Sequence, residues 1–160
     1  MASGFYARAD EIYRERLPEK HPSRFAQTYK HGLGLLAHGD LDGAARAFRQ
    51  CIERAKATFG DAHPLIADAH QGLAVTAVHS GDLARARVEL EMEAAVLRIC
   101  FGESHPKVAF AHIALAAVCR ARGELDDAQR HAELERAILG KTTLVSSKEI
   151  AAHRANWVTR

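Results

Sequence analysis

The feature that most constrains this chain is a His-Pro pair that returns at a fixed interval of 42 residues. The pairs are His21-Pro22, His63-Pro64 and His105-Pro106. A second mark, made of a glycine, an acidic residue and a leucine, keeps the same interval at 39–41, 81–83 and 123–125. Strict self-similarity over a few tens of residues is typical of repeat architectures, in which each unit packs only on its neighbours.

The two marks divide each repeat into two arms of helical length. Proline is tolerated in the first turn of a helix, and glycine suits the left-handed position that ends one. Each His-Pro pair therefore predicts a helix start, and each Gly-acidic pair predicts a turn. Apolar residues of the second arm are spaced by three or four positions, as in Leu83, Ala86, Leu90, Ala94, Leu97 and Phe101. The pattern predicts an all-α protein built from antiparallel helix pairs.

The predicted layout is a single domain with three helix pairs and one extra helix at each end. The pairs occupy 22–59, 64–101 and 106–139, and the single helices occupy 3–16 and 147–159. Shifted by the repeat length, Tyr6 falls on second-arm position 48 and Trp157 falls on first-arm position 115. The ends of a solenoid expose apolar faces unless they are capped, and we expect the single helices to cover them. Because the chain begins and ends in mid-repeat, a piece of a longer repeat protein is expected.

This pattern resembles the tetratricopeptide repeat (TPR). In that family a Leu-small pair in the first helix precedes Gly-x-Leu, an alanine and a large apolar residue in the second. The matching residues are Leu73-Ala74, Gly81, Leu83, Ala86 and Leu90, then Leu115-Ala116, Gly123, Leu125 and Ala128. The 42-residue length and the Gly-x-x-His-Pro join are similar to the kinesin light chain variety. The resemblance implies an α-solenoid, a TPR superhelix of three full repeats with flanking half-repeats. Departures are His31, in place of leucine, and Glu93 and Glu135, where the family usually places alanine.

The residues that could carry chemistry do not form a recognised constellation. His70 and His112 occupy equivalent first-arm positions, but no His pair stands with Cys or carboxylate at a metal-ligand spacing. Packing between helices is the expected role of both, and a turn is the expected place of each His-Pro histidine. Glu89, Glu91 and Glu93 alternate along one helix, which favours a solvated acidic face over a catalytic cluster. We expect no enzyme activity, no cofactor and no metal.

Composition excludes several other classes. The 22 basic and 20 acidic side chains are interspersed, so no nucleic-acid surface is indicated. Cys51, Cys100 and Cys119 are odd in number and far apart, which predicts buried thiols in a reducing compartment. No apolar run is long enough for a membrane span, and the charged start of the chain is unlike a signal peptide. A cytoplasmic protein is the expectation.

The resemblance also implies a binding surface, because in this family the first helices line a concave side where peptides bind. The carried-over positions are Ala26, Tyr29, Leu33 and Leu36, then Asp68, Gln71, Val75 and Val78, then Phe110, Ile113, Ala117 and Arg120. The Lys and Asn residues with which some members clamp a C-terminal carboxylate are missing from these positions. The expected function is a scaffold or adaptor that binds a peptide or amphipathic helix of another protein in this mostly apolar groove.

Two alternatives remain open at this stage. The end helices could pair between copies, giving a homodimer or an extended solenoid in which Tyr6 and Trp157 are buried at the contacts. Any one of the carried-over side chains could instead pack between helices and take no part in binding.

Overall fold

Seven α-helices follow one another between residues 22 and 156. They are α1 (Pro22–Ala37), α2 (Leu41–Phe59), α3 (Pro64–His79), α4 (Leu83–Phe101), α5 (Pro106–Ala121), α6 (Leu125–Leu139) and α7 (Ser147–Asn156). The structure, a computed structural model, describes residues 8, 9, 11–13, 15–18, 21–141 and 145–157, and it shows no strand among them. All of the described residues between 8 and 16 are helical as well. None of the described helices is both long and apolar enough to span a bilayer.

The repeated marks of the sequence act as helix caps. A proline stands in the first turn of α1, α3 and α5, and the histidine before it accepts a hydrogen bond through Nδ1. In α3 the donor is the backbone N–H of Leu65, 3.2 Å from His63 Nδ1. Asp40 and Asp82 accept backbone hydrogen bonds at the starts of α2 and α4, whereas Glu124 makes no such bond at α6. The His-Pro histidines are therefore structural caps, as expected for turn residues.

The join between two units is a Phe-Gly-x-x-His-Pro segment whose parts contact one another. Gly60 has φ of 80°, a left-handed conformation that favours glycine. Phe59, just before it, stacks on His63 with the ring centroids 4.3 Å apart. The same stack recurs between Phe101 and His105 at 4.6 Å. Phenylalanine, glycine and histidine must keep their spacing for these contacts to form, which explains the constant spacing within the two joins.

The helices form a row of antiparallel pairs. From α1 to α6, each helix packs on the one before it and the one after it. First-arm helices also touch each other across the row, α1 with α3 and α5 with α7, whereas no two of the described second-arm helices do. The first arms therefore lie on the inner side of the row and the second arms on the outer side. An all-α solenoid is confirmed.

The side chain that fills the space between neighbouring first-arm helices becomes smaller along the row. Phe48 of α2 is fully buried, and its ring faces Gly32 of α1 and Gly72 of α3. A Cβ built on either glycine would stand only 2.7 Å or 2.6 Å from that ring. The residues at the same places in the next two units are Leu90 with Ala74 and Ala114, and Ala132 with Ala116 and Asn156.

The three cysteines are free thiols. Cys51 and Cys119 are buried as expected, and burial raises the pKa of the Cys51 thiol to about 12. Cys100 is only half-buried because it lies near the end of α4.

The last helix, α7, packs on α5. Its start carries a capping box, in which Ser146 and Glu149 each accept a hydrogen bond from the other's backbone N–H. Trp157, directly after the helix, is 6% exposed and belongs to the hydrophobic core. Tyr6 and residues 158–159 of the two predicted end helices lie outside the described residues.

Candidate functional site

The carried-over binding residues lie on the three first-arm helices. Leu33 is 40% exposed, Arg120 is exposed, and Ile113 is buried at 4%. The half-buried members are Ala26, Tyr29, Leu36, Asp68, Gln71, Val75, Val78, Phe110 and Ala117. The members on α1 and α3 are mostly apolar. We call the surface that they are expected to share the inner groove, and define it by Tyr29, Leu33, Leu36, Asp68, Gln71, Val75 and Val78.

In the third unit, one expected position is buried and another contacts the last helix. Ile113, expected to line the groove, is a core residue, because it is covered by the helices around α5. Phe110 stacks on His153 of α7, with the ring centroids 4.6 Å apart. Burial lowers the pKa of His153, and hydrogen bonding to the Phe110 backbone offsets only part of that shift. The chain's own last helix therefore contacts Phe110, whereas Ala117 is half-buried and Arg120 is exposed.

Tyr29 lies where the α1 and α3 parts of the inner groove meet, close to Asp68 of α3. Its ring lies 5.7 Å from that of Phe48, so its apolar body packs on the core. Burial, with a contribution from the nearby charge of Asp68 on α3, raises the pKa of Tyr29 to about 12. The hydroxyl is therefore neutral at physiological pH and available as a hydrogen-bond donor.

A buried carboxyl group lies beside the polar part of the inner groove. Glu93 of α4 is 5% exposed, and its Oε1 accepts a hydrogen bond from Gln71 Nε2 at 3.2 Å. Its Oε2 has no hydrogen-bond partner among the described residues. Burial raises the pKa of Glu93 to about 8, and the charge of Asp68 adds to the shift. Burial also raises the pKa of Asp68, on the rim of the same site.

Glu89, one turn before Glu93, is buried as well. Its Oε2 lies 2.8 Å from His70 Nδ1, and its Oε1 accepts from Arg85 Nε at 2.7 Å. Burial alone would raise the pKa of Glu89, but these hydrogen bonds outweigh it and hold the pKa below its usual value. The interpretation of the alternating glutamates as a solvated face is wrong for two of the three, because both turn toward α3. Only Glu91 is exposed.

One clue in the sequence pointed to this burial. Glu93 and Glu135 both stand where the resembling family places alanine, at a position packed between helices. A carboxyl group in a space that usually holds a methyl group must be buried, and both side chains are 5% exposed. His70 fills the packing role expected of it.

The third unit replaces the His-Glu pair with two histidines. His112 Nδ1 lies 3.2 Å from His131 Nδ1, and the rings stack with centroids 5.2 Å apart. Burial, then the charge of His131, lowers the pKa of His112 to about 4. Among the described residues no third His, Cys, Asp or Glu joins them in a group that could hold a metal ion. The arrangement is a neutral hydrogen-bonded pair.

The chain matches solved structures with the same fold. The structure of BtubC (BKLC) from P. vanneervenii aligns with a TM-score of 0.79 at 20% identity, over 91% of this chain. This chain spans 58% of the length of that one. Two crystal structures of a Podosopora anserina protein, described as a kinesin light chain with nearly identical TPR-like repeats, align at 25% identity with TM-scores of 0.73 and 0.71. These alignments cover 90% of this chain and 68% of the Podosopora anserina chain. No family model and no curated protein sequence matches the chain.

Proposed function

We propose that this chain, a TPR-like solenoid with the fold of kinesin light chain-type repeats, is a non-enzymatic scaffold that binds a segment of another protein in its inner groove. The observation that carries the proposal is the row of half-buried or exposed apolar side chains on α1 and α3. They are Tyr29, Leu33, Leu36, Val75 and Val78. Contiguous apolar surface of this kind marks interaction sites. The similar repeat structures support a protein-interaction scaffold in general.

The form of the groove favours an amphipathic helix as the bound segment. α1 and α3 are neighbouring helices in contact, and packed helices stand roughly 8–10 Å apart, so a bound segment would lie over both of them. A helix bound in this way presents apolar residues at intervals of three and four positions. Val75 lies near the middle of the surface, one turn before Val78 and one turn after Gln71.

The test is a selection from a displayed library of random 16-residue peptides. We expect the wild-type protein to enrich a family of sequences, and Val75→Glu to abolish that enrichment, because a charge would be placed in the apolar channel. The matched control is Val88→Glu, the same substitution at a position of α4 that is 52% exposed. Circular dichroism checks that all three proteins are equally helical. The proposal would be contradicted if the wild type enriched no family of peptides, or if Val75→Glu enriched the same family.

Self-association is the second candidate. It draws support from a row of exposed apolar residues on α4, Val88, Met92 and Ile99, of which Ile99 is 70% exposed. Trp157, expected at a contact between copies, is instead buried within its own chain. Light scattering across the micromolar range tests this candidate, and a constant monomer mass would remove it.

A further inference from the structure

We propose that the outer face of α4 binds the same face of a second copy of this chain, with the two α4 helices antiparallel across a two-fold axis. The inference rests on self-association, the second candidate function, and it specifies which surface makes the contact and in which orientation. Because α4 is a second-arm helix on the outer side of the row, a dimer of this kind leaves the inner groove of each copy open.

The outer face of α4 carries an exposed apolar stripe. Val88, Met92 and Ile99 are 52%, 41% and 70% exposed, and the half-buried Ala95 lies between the last two. We call these four residues the outer stripe. They follow one another at intervals of four, three and four positions, which is the spacing of the seam along which two helices pack in a coiled coil. The stripe is about 16 Å long and therefore fits the side of another helix.

The fold itself does not require apolar residues at these four positions. One repeat length earlier, α2 has exposed side chains at all four, and three of them are polar, namely Arg46, Gln50 and Glu53. One repeat length later, the first and last of the four positions are Arg130 and Lys141, both exposed. Helix pairs of this row therefore form with charged side chains at this place. A contiguous apolar surface that the fold does not need marks an interaction site.

The outer stripe is complementary to itself when the two helices run antiparallel. Val88 then lies opposite Ile99 of the second copy, and Met92 lies opposite Ala95. The longest side chain of the stripe thus meets the shortest one on both sides of the two-fold axis, which is the commonest symmetry of protein dimers. A parallel pair would set methionine against methionine and would leave a gap between the two alanines, which costs packing energy.

Two charged residues beside the outer stripe favour the same orientation. Glu91 and Arg98 are seven positions apart on one edge of the stripe, and both are exposed. In the antiparallel pair, Glu91 of each copy comes alongside Arg98 of the other, whereas a parallel pair would set like charges side by side. Arg98 forms no ion pair among the described residues, and Arg87 Nε donates to Glu91 Oε1 at 2.9 Å. The contact would therefore give Arg98 its partner.

The charges at the equivalent positions of α2 would not allow such a contact. They are Arg49 and Lys56, which have the same sign and would repel their counterparts in either orientation. The apolar stripe and the pair of opposite charges thus occur together on α4. The contact is shorter than a standard interface of roughly 1,600 Å², so we expect a reversible dimer with a dissociation constant in the micromolar range.

The first experiment measures mass by sedimentation equilibrium across the micromolar range. Wild-type protein should pass from monomer to dimer as its concentration rises, and Ile99→Glu should remove the dimer, because the charge would be buried in the seam. The matched control is Leu125→Glu, at a position of α6 that is 67% exposed and lies outside the stripe, and it should dimerise as the wild type does. Circular dichroism checks that the three proteins are equally helical.

The outcomes separate this inference from the functions on which it rests. A wild type that stays monomeric would overturn both the α4 contact and self-association, and would leave the inner-groove proposal standing. A dimer that Ile99→Glu does not weaken would overturn the α4 contact alone, because the copies would then associate through another surface.

The second experiment tests the orientation by exchanging charges. Glu91→Arg gives a chain with two basic side chains on this edge, and Arg98→Glu gives a chain with two acidic ones. Each variant alone should dimerise about 10-fold more weakly than the wild type, because two ion pairs become two repulsions. An equimolar mixture should recover the dimer, since the basic edge of one chain then meets the acidic edge of the other. A mixture that dimerises no better than the separate variants would overturn the antiparallel contact.

Discussion

At the scale of single residues, the close approach of helices in the first unit depends on missing side-chain atoms. The ring of Phe48 lies between the backbones of α1 and α3, and Gly32 and Gly72 leave it that room. In a close-packed interior such a ring cannot shift without moving a helix. The two glycines are therefore packing residues, although each costs helix propensity.

Replacing Gly72 with alanine should destabilise the fold, because the added Cβ would stand 2.6 Å from the Phe48 ring. Overpacking of this kind costs about 1–3 kcal/mol of unfolding free energy, more than alanine gains in helix propensity. Urea unfolding followed by circular dichroism measures the change. Adding Phe48→Leu should recover most of the loss, and a Gly72→Ala protein as stable as wild type would show that the ring has space.

The buried acid Glu93 makes a pH-dependent contribution to stability. Its pKa in the folded chain is about 8, above the value near 4.3 of an unfolded chain, so unfolding releases a proton between these values. Stability should fall as the pH rises from about 5 to 8. Glu93→Gln should flatten this decline and raise the unfolding free energy at pH 8 by roughly 3 kcal/mol. Chemical denaturation at pH 5 and pH 8 checks both statements, and equal slopes for the two proteins would contradict them.

At the scale of helix pairs, the same contact is made with different chemistry in successive units. Position 70 of α3 meets position 89 of α4 as a histidine with a glutamate. One repeat later, position 112 of α5 meets position 131 of α6 as two histidines. The first pair gains from a positive histidine, whereas the second is weakened when either ring is charged, because the added charges repel.

The pair of α5 and α6 should therefore be the acid-sensitive part of the row. The pKa of His112 is lowered to about 4 in the folded chain, so the unfolded chain binds the extra proton and stability falls as the pH drops from about 6.5. Substituting His131→Glu copies the pair of the second unit and should lessen this loss. Thermal melts at pH 7 and pH 5 measure it, with His79→Glu, at an exposed position of α3, as the matched control. If both variants lose stability as the wild type does, the histidine pair is not the cause.

The helix ends and the buried acids differ in how far the sequence predicts them. Proline, glycine and aspartate act within a few residues of their own position, so the bounds of the helix pairs follow from local chemistry. The burial of Glu93 depends on Gln71, which lies 22 residues away on another helix. The covering of Phe110 depends on where α7 comes to rest. Such contacts leave no periodic pattern, so the sequence did not predict that Ile113 is buried and that Phe110 contacts α7.

At the scale of the whole molecule, the row is closed at one end by its own last helix. α7 packs on α5, buries Trp157 in the core and pairs Arg154 with Glu135. The ion pair therefore links the closing helix to the second arm of the last complete unit.

Removing the guanidinium should loosen this end without unfolding the row. Arg154→Gln leaves the buried Glu135 carboxylate unpaired, which should cost about 2 kcal/mol and release α7. Trp157 is the only tryptophan, so a red shift of the fluorescence emission reports its exposure directly. The double variant Arg154→Gln with Glu135→Gln should restore much of the wild-type emission. An unchanged emission maximum in the single variant would show that the ion pair does not hold the helix.

The buried second-arm side chain becomes smaller from Phe48 through Leu90 to Ala132, so each helix pair fits only its own place in the row. A helix pair moved to another place in the chain would set the phenylalanine ring against alanine residues, or would leave a cavity where the ring is needed. Versions of this protein with reordered repeats, or with one averaged repeat sequence, should unfold less cooperatively because neighbouring helix pairs no longer fit. This should hold even though they keep every His-Pro and Gly-acidic mark. Duplication within such a gene would thus have to be followed by paired changes on adjoining helices before the copy could be accommodated.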